Sequence, residues 1–135
     1  MKHQRFYLKT YGCQMNVHDS ERMTGMMEET GLIPTNDSDD ADVVVINTCA
    51  VREKPERKLF AELGRWKKFK RDNPNLIIVV AGCMAPRDAD VIRQRAPHVD
   101  LLIGPRSIHR LPDLIRKVER QAGRQGRSPA HNYDA

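Results

Sequence analysis

Two runs of branched aliphatic residues constrain this chain more than anything else in it. "ADVVVINTC" (41–49) and "LIIVVAGC" (76–83) are apolar without alternation. A strand with one face in water alternates apolar with polar, and these do not. Short, continuous, valine-rich runs read as strands buried on both faces, the pattern of a parallel sheet covered by helices on each side.

The rest of the chain supplies those helices. "HQRFYLKTY" (3–11) reads as a first strand, with aromatic and branched residues. Asn16 is placed as the N-cap of a helix that carries Met23, Met26, Met27 and Thr30 at i, i+3, i+4 and i+7, with Gly31 as its stop. "NDSDD" (36–40) is an acidic loop. A second helix over 54–72 aligns Leu59, Leu63, Trp66 and Lys70, with Phe60 beside them, and ends at Asn73-Pro74. Pro86 suits the first turn of a third helix, which carries Val91, Ile92 and Arg95 and stops near Pro97. "DLLIG" (100–104) is a fourth strand, and 107–121 a last helix with Leu111, Leu114, Ile115 and Val118 on its apolar face and Pro112 in its first turns. The expected fold class is therefore α/β, a three-layer domain with a four-stranded, mainly parallel sheet flanked by helices. From Ala122 the residues "GRQGRSPAHNYDA" have no periodicity, so 122–135 read as a linker or tail, with the natural chain expected to continue.

Composition narrows the class. Hydrophobic content of 39% and charged content of 30% over 135 residues fit a globular domain with a core. The longest apolar run falls well short of the ~20 residues that span a bilayer. The first twelve residues contain no apolar signal segment, so a cytoplasmic location with reduced thiols is expected. A net charge of +5 and a pI near 9.3 are compatible with a polyanionic partner. Aromatic residues at 5% give no stacking platform for single-stranded nucleic acid.

The three cysteines fall in equivalent places. Cys13 follows the first strand, Cys49 the second and Cys83 the third. A parallel sheet brings those strand ends to one edge, where open α/β folds bind ligands. Three buried free thiols would be the plain explanation, cysteine being a common small core residue. Three converged thiolates could instead hold zinc, which needs a fourth ligand, His18 being nearest. Or they could hold an iron–sulfur cluster with one iron left open. Helix N-termini after each strand favour anionic groups on that edge.

Three stretches carry a family likeness: "TYGCQMNVHDSERM" (10–23), "ADVVVINTCAVREKPERK" (41–58) and "VVAGCMA" (79–85). Together they resemble the N-terminal domain of the radical-SAM methylthiotransferases, over roughly residues 3 to 120. Within the family, Gly12-Cys13-Gln14-Met15-Asn16 followed by Ser20-Glu21-Arg22-Met23 is similar to the branch that acts on a prenylated adenosine beside the tRNA anticodon. The branches that modify a ribosomal protein or threonylcarbamoyladenosine tRNA usually show other first motifs. The resemblance implies that Cys13, Cys49 and Cys83 ligate an auxiliary [4Fe–4S] cluster that serves sulfur delivery. It implies that residues 1–121 are that cluster domain. It also implies that a second [4Fe–4S] cluster, S-adenosylmethionine, the radical-SAM domain and an RNA-binding TRAM domain belong to the intact enzyme, with tRNA as partner and no membrane. No CxxxCxxC stands in this sequence, so the fragment is expected to be inactive alone. Pro55, and Pro86-Arg87 after "GCMA", depart from the family's usual residues.

Asn16, Asn47, Thr48 and Arg52 flank the cysteines, and Asn16, Thr48 and Arg52 are carried as supporting residues that could donate hydrogen bonds to a cluster. Helix caps, turn formers and surface charge are their plainer roles. Met23, Met26, Met27 and Tyr11 read as core. Basic residues on the second helix and after Arg106 could meet phosphates or simply face water. Two rival classes remain: a non-catalytic α/β binding module with zinc or no metal, and a nucleotide-binding or flavodoxin-like domain. The latter should carry a Gly-rich loop after the first strand, where "TYGCQMN" has a single glycine.

Overall fold

The computed structural model describes residues 4–10, 14–48, 53–82, 86–122 and 133–134. Its sheet has the order β2-β1-β3-β4-β5-β6, with every neighbouring pair parallel. The expected strands form its centre: β1 (Arg5–Thr10), β3 (Val43–Thr48), β4 (Ile77–Gly82) and β5 (Leu101–Ile103). Two-residue pieces extend it at the edges, β2 (Ile33–Pro34) beside β1 and β6 (Tyr133–Asp134) beside β5. They are too short to carry a periodicity, and Pro34 suits an edge because it cannot donate to a further ladder. β6 falls within the stretch read from sequence as a tail.

The α/β class and the three layers are as expected. Every residue of β3 and β4 is buried. Alternate side chains go to opposite faces. Val43, Val45, Ile77, Val79 and Ala81 pack with α1 (Gln14–Glu29) and α4 (Leu111–Ala122). Val44, Ile46, Ile78 and Val80 pack with α2 (Glu53–Asp72) and α3 (Pro86–Arg95). Each fully buried aliphatic side chain is worth about 1.5–3 kcal/mol of transfer free energy, so both helical layers are required.

α1 starts at Gln14, so Asn16 lies inside the helix and is not its N-cap. Gln14 and Met15 are themselves good helix formers and extend the turn N-terminally. Met23 and Met27 are fully buried and Met26 partly so. Thr30, expected on that face, is exposed, and its hydroxyl donates to the Met27 carbonyl. Gly31 does end the helix. With φ of 98° its N–H donates to the Glu28 carbonyl while the Leu32 N–H donates to the Met27 carbonyl, and Leu32 packs back onto the core. That is a Schellman stop, which needs the left-handed residue glycine supplies. In α4, Leu111, Leu114, Ile115 and Val118 are buried as read. A 3₁₀ turn, Pro105–Arg110, takes up the start of the expected last helix, and its Ile108 joins the core.

Polar groups tie down the N-terminal edge of the sheet. Asp42 Oδ2 accepts from the Arg5 N–H at 3.0 Å, and Arg5 pairs with Asp40. Lys70, read from sequence as part of an apolar stripe, reaches past it. Its Nζ lies 2.6 Å from Asp100 Oδ2 and also donates to the Leu76 carbonyl. Asp100 is 1% exposed and accepts the Ile78 N–H at 2.8 Å. The Asp100→Ala variant strands a mostly buried ammonium and a strand N–H, and it should lose about 3–5 kcal/mol of stability. Joint replacement of Lys70 by Met and Asp100 by Leu should recover much of that in urea titrations.

His98 closes the far side. Its Nε2–H donates to the Leu63 carbonyl at 2.5 Å, which leaves Nδ1 a bare acceptor, buried with no partner among the described residues. Burial, helped by Lys67 and Lys70, lowers its pKa below 6.5, against the weaker pull of the Leu63 carbonyl and Asp100. The folded chain therefore holds this proton less tightly than the unfolded chain. The resulting stability is complete above pH 6.5 and is lost as pH falls from there through the lowered folded value. His98→Gln keeps an N–H for Leu63 and cannot titrate, so thermal melts between pH 7.5 and 5 should show a shallower pH dependence than in the parent chain.

Candidate functional site

After β1 the chain crosses by α1 to β2 on one side, and β3 then begins on β1's other side. α1 packs on one face of the sheet and α2 on the opposite face. The crossovers thus diverge at the C-terminal ends of β1 and β3. Such a switch point is where doubly wound sheets bind ligands, and the order 2-1-3-4-5 is one of its two common forms.

The strand ends there are level. Thr10 pairs with Asn47, Asn47 with Ala81, and Thr48 with Gly82. Strands lie about 4.8 Å apart, so the ends of β1, β3 and β4 fall within about 10 Å of one another. In the sequence, Cys49 follows Thr48 directly, Cys83 follows Gly82 directly, and Cys13 comes three residues after Thr10. Cys13, Cys49, Cys83, Arg52 and Tyr11 lie outside the described residues, as do the side chains of Asn16 and Met15. Helices α1, α2 and α3 all begin on this edge and turn the positive ends of their dipoles toward it.

Two local features shape the edge. Gly82 has φ of 140°, and a Cβ there would sit 1.8 Å from the Thr48 carbonyl oxygen. No side chain fits, so glycine lets the β3 and β4 backbones close up one residue before Cys49 and Cys83. On the face covered by α1, Asn47 is fully buried and its Nδ2 donates to Ser20 Oγ at 2.9 Å. The Ser20 hydroxyl in turn lies 2.6 Å from Thr10 Oγ1. Thr48 is 1% exposed, the last residue of β3 and five positions before α2, so it is not a helix cap.

Sequence reasoning singled out Asn47 but missed its partners Ser20 and Thr10. The signal was present, since Ser20 interrupts the methionine stripe of α1 three residues before Met23. His18, the possible fourth zinc ligand, is 76% exposed, with Nδ1 4.0 Å from Glu21. Among the described residues no group of three His, Cys, Asp or Glu side chains comes together for a metal. Thiolates are soft donors, suited to iron–sulfur or zinc and not to a hard cation.

Fold and edge define a doubly wound parallel α/β domain with its cysteines next to the switch point. Residues 5–104 match the Uncharacterized protein family UPF0004, and the chain belongs to that family. It is 48% identical over 119 residues to a tRNA-2-methylthio-N(6)-dimethylallyladenosine synthase of Hahella chejuensis, covering 87% of this chain and 27% of that protein. Synthases of the same name from Alteromonas mediterranea and Pseudoalteromonas translucida are each 49% identical, over 85% and 88% of this chain. The chain spans about a quarter of the length of these relatives. The expected likeness to methylthiotransferases, and to the prenylated-adenosine branch among them, is borne out. No helix among the described residues is long and apolar enough to cross a membrane.

Gly82→Ala tests the closeness of the edge. The φ alone should cost about 1–3 kcal/mol, and the overlap with the Thr48 carbonyl must add to it. A clear drop in the urea midpoint is the expected outcome, whereas Gly25→Ala, in the interior of α1 with nothing within 4 Å of its Cβ, should not lower it.

Proposed function

We propose that Cys13, Cys49 and Cys83 together hold a [4Fe–4S] cluster, and that the domain is the sulfur-delivering part of a tRNA methylthiotransferase. The observation that carries this reading is the level edge. Three adjacent parallel strands end together at a switch point, and each runs on within three residues into a cysteine. The names of the relatives support the substrate, an adenosine with a dimethylallyl group in tRNA.

The chain's own residues would bind and orient. Three thiolates leave one coordination position for an external ligand, the arrangement by which an open metal site differs from a closed structural one. The N-terminal ends of α1, α2 and α3 offset negative charge at the edge. The layers on either face keep water from the ends of β3 and β4. When bound, the cluster supplies the chemistry of sulfur delivery. In this reading the radical step, a second cluster, S-adenosylmethionine and the TRAM domain belong to the rest of the enzyme, this domain alone is inactive, and the enzyme works on tRNA in the cytoplasm. Residues 122–135 act as the connection to the radical-SAM domain.

Anaerobic reconstitution with iron and sulfide tests it. About four irons and four sulfides per chain are expected, with the visible absorption and Mössbauer signature of a [4Fe–4S] centre, all lost in Cys49→Ala. Freely titratable thiols and no iron uptake would overturn the reading. Uptake of one zinc in place of iron would move the domain to a structural metal site.

A further inference from the structure

The hydroxyl of Ser20 joins three elements of the switch point. It belongs to α1, it accepts from Asn47 on β3, and it shares a hydrogen bond with Thr10 at the end of β1. Thr10 and Asn47 are register partners on adjacent strands, so their side chains stand side by side on the face α1 covers. Ser20 is 7% exposed and Asn47 0%, so water does not readily replace the bond between them, while the Thr10 arm is part-buried. Asn47 donates one amide hydrogen to Ser20 Oγ, and in the bond between Ser20 and Thr10 either hydroxyl can donate.

We propose that Ser20 is a positioning residue. It latches α1 across the ends of β1 and β3 and so fixes the relative placement of the two chain segments that leave them. The consequence is greatest for the short link between Thr10 and Gln14, which contains Cys13. One end is Thr10 and the other is the start of α1, and Ser20 ties both to β3. Cys49 comes two residues after Asn47. The latch thus fixes the described ends from which two of the three cysteine-bearing segments leave, and a fixed anchor lowers the ordering cost of binding. Gly82 and the β3–β4 register serve the third segment, so the latch does not act on it directly. The reach of the latch to a cluster rests on the function proposed above. The latch itself does not.

Amide hydrogen exchange on the reduced, metal-free chain reads the latch without any cluster. Peptides covering 9–16, 46–52 and 80–87 should be compared. Loss of a buried hydrogen bond worth about 1 kcal/mol corresponds to roughly fivefold faster exchange. Ser20→Ala should give that acceleration in the first two peptides and leave the third unchanged. Ser20→Thr retains the hydroxyl and should restore protection. Thr10→Val removes one arm only and should affect 9–16 more than 46–52. Ile115→Val, buried in the same layer but remote from the latch, controls for general destabilisation and should change none of the three. In reconstituted chains, Ser20→Ala should release iron to a chelator about fivefold faster than the parent, by the same arithmetic. Equal acceleration in all three peptides, or none in any, overturns the latch. If the parent takes up no iron while the first two peptides still respond, the latch stands and the cluster assignment falls. If iron is held equally by parent and Ser20→Ala and exchange is unchanged, the cluster stands and the latch falls.

Discussion

The burial of β3 and β4 on both faces is the constraint from which the rest follows. Two six-residue strands with every position buried leave no water-facing side to the centre of the sheet. A layer of helix is needed above and below. Parallel neighbours must be joined by crossovers, and the crossovers are those helices. Once α1 covers one face and α2 the other, the chain has to reverse its direction of growth between β1 and β3. The switch point is thus a by-product of covering a valine-rich sheet twice, and the ligand edge is inherited from it.

What was legible in the sequence was what repeats. Runs such as "VVVIN" and "IIVVAG" have one environment over their whole length, so the central strands were placed within a residue or two, and α4 shows an unbroken apolar stripe although its start was read four residues early. The misses depend on single contacts. Asn16 resembled a cap because asparagine usually is one, yet the good helix formers before it extended the turn. Lys70 kept the helical spacing of Leu63 and Trp66 while its ammonium reached Asp100, thirty residues away. β2 and β6 exist only because a neighbouring strand offers a free ladder, which no local pattern encodes. The site was half legible. The cysteine positions after each strand pointed to the C-terminal edge, where Cys13, Cys49 and Cys83 themselves lie outside the described residues, but the meeting of Ser20 with Thr10 and Asn47 depends on register, which spacing alone does not supply.

The two edges of the sheet are built differently, and the difference has a physical reason. At the N-terminal edge, carboxylates of Asp42 and Asp100 accept strand N–H groups, and cations close over Asp40 and Asp100. Those charges pair within the domain and leave nothing to offer a ligand. At the C-terminal edge the groups under α1 are neutral, the hydroxyls of Thr10 and Ser20 and the amide of Asn47, beside the bare backbone at Gly82, while Lys9 pairs with Glu62 on the side of α2. A charged pair under α1 would compete with an anionic ligand or demand its own desolvation. Neutral groups bonded to one another avoid both costs. They hold the strand ends in place while leaving the positive ends of three helices as the main fixed electrostatic feature of the described edge. A sheet closed by charge at one end and, under α1, by neutral hydrogen bonds at the other leaves the N-terminal ends of α1, α2 and α3 to favour negative groups where β1, β3 and β4 end.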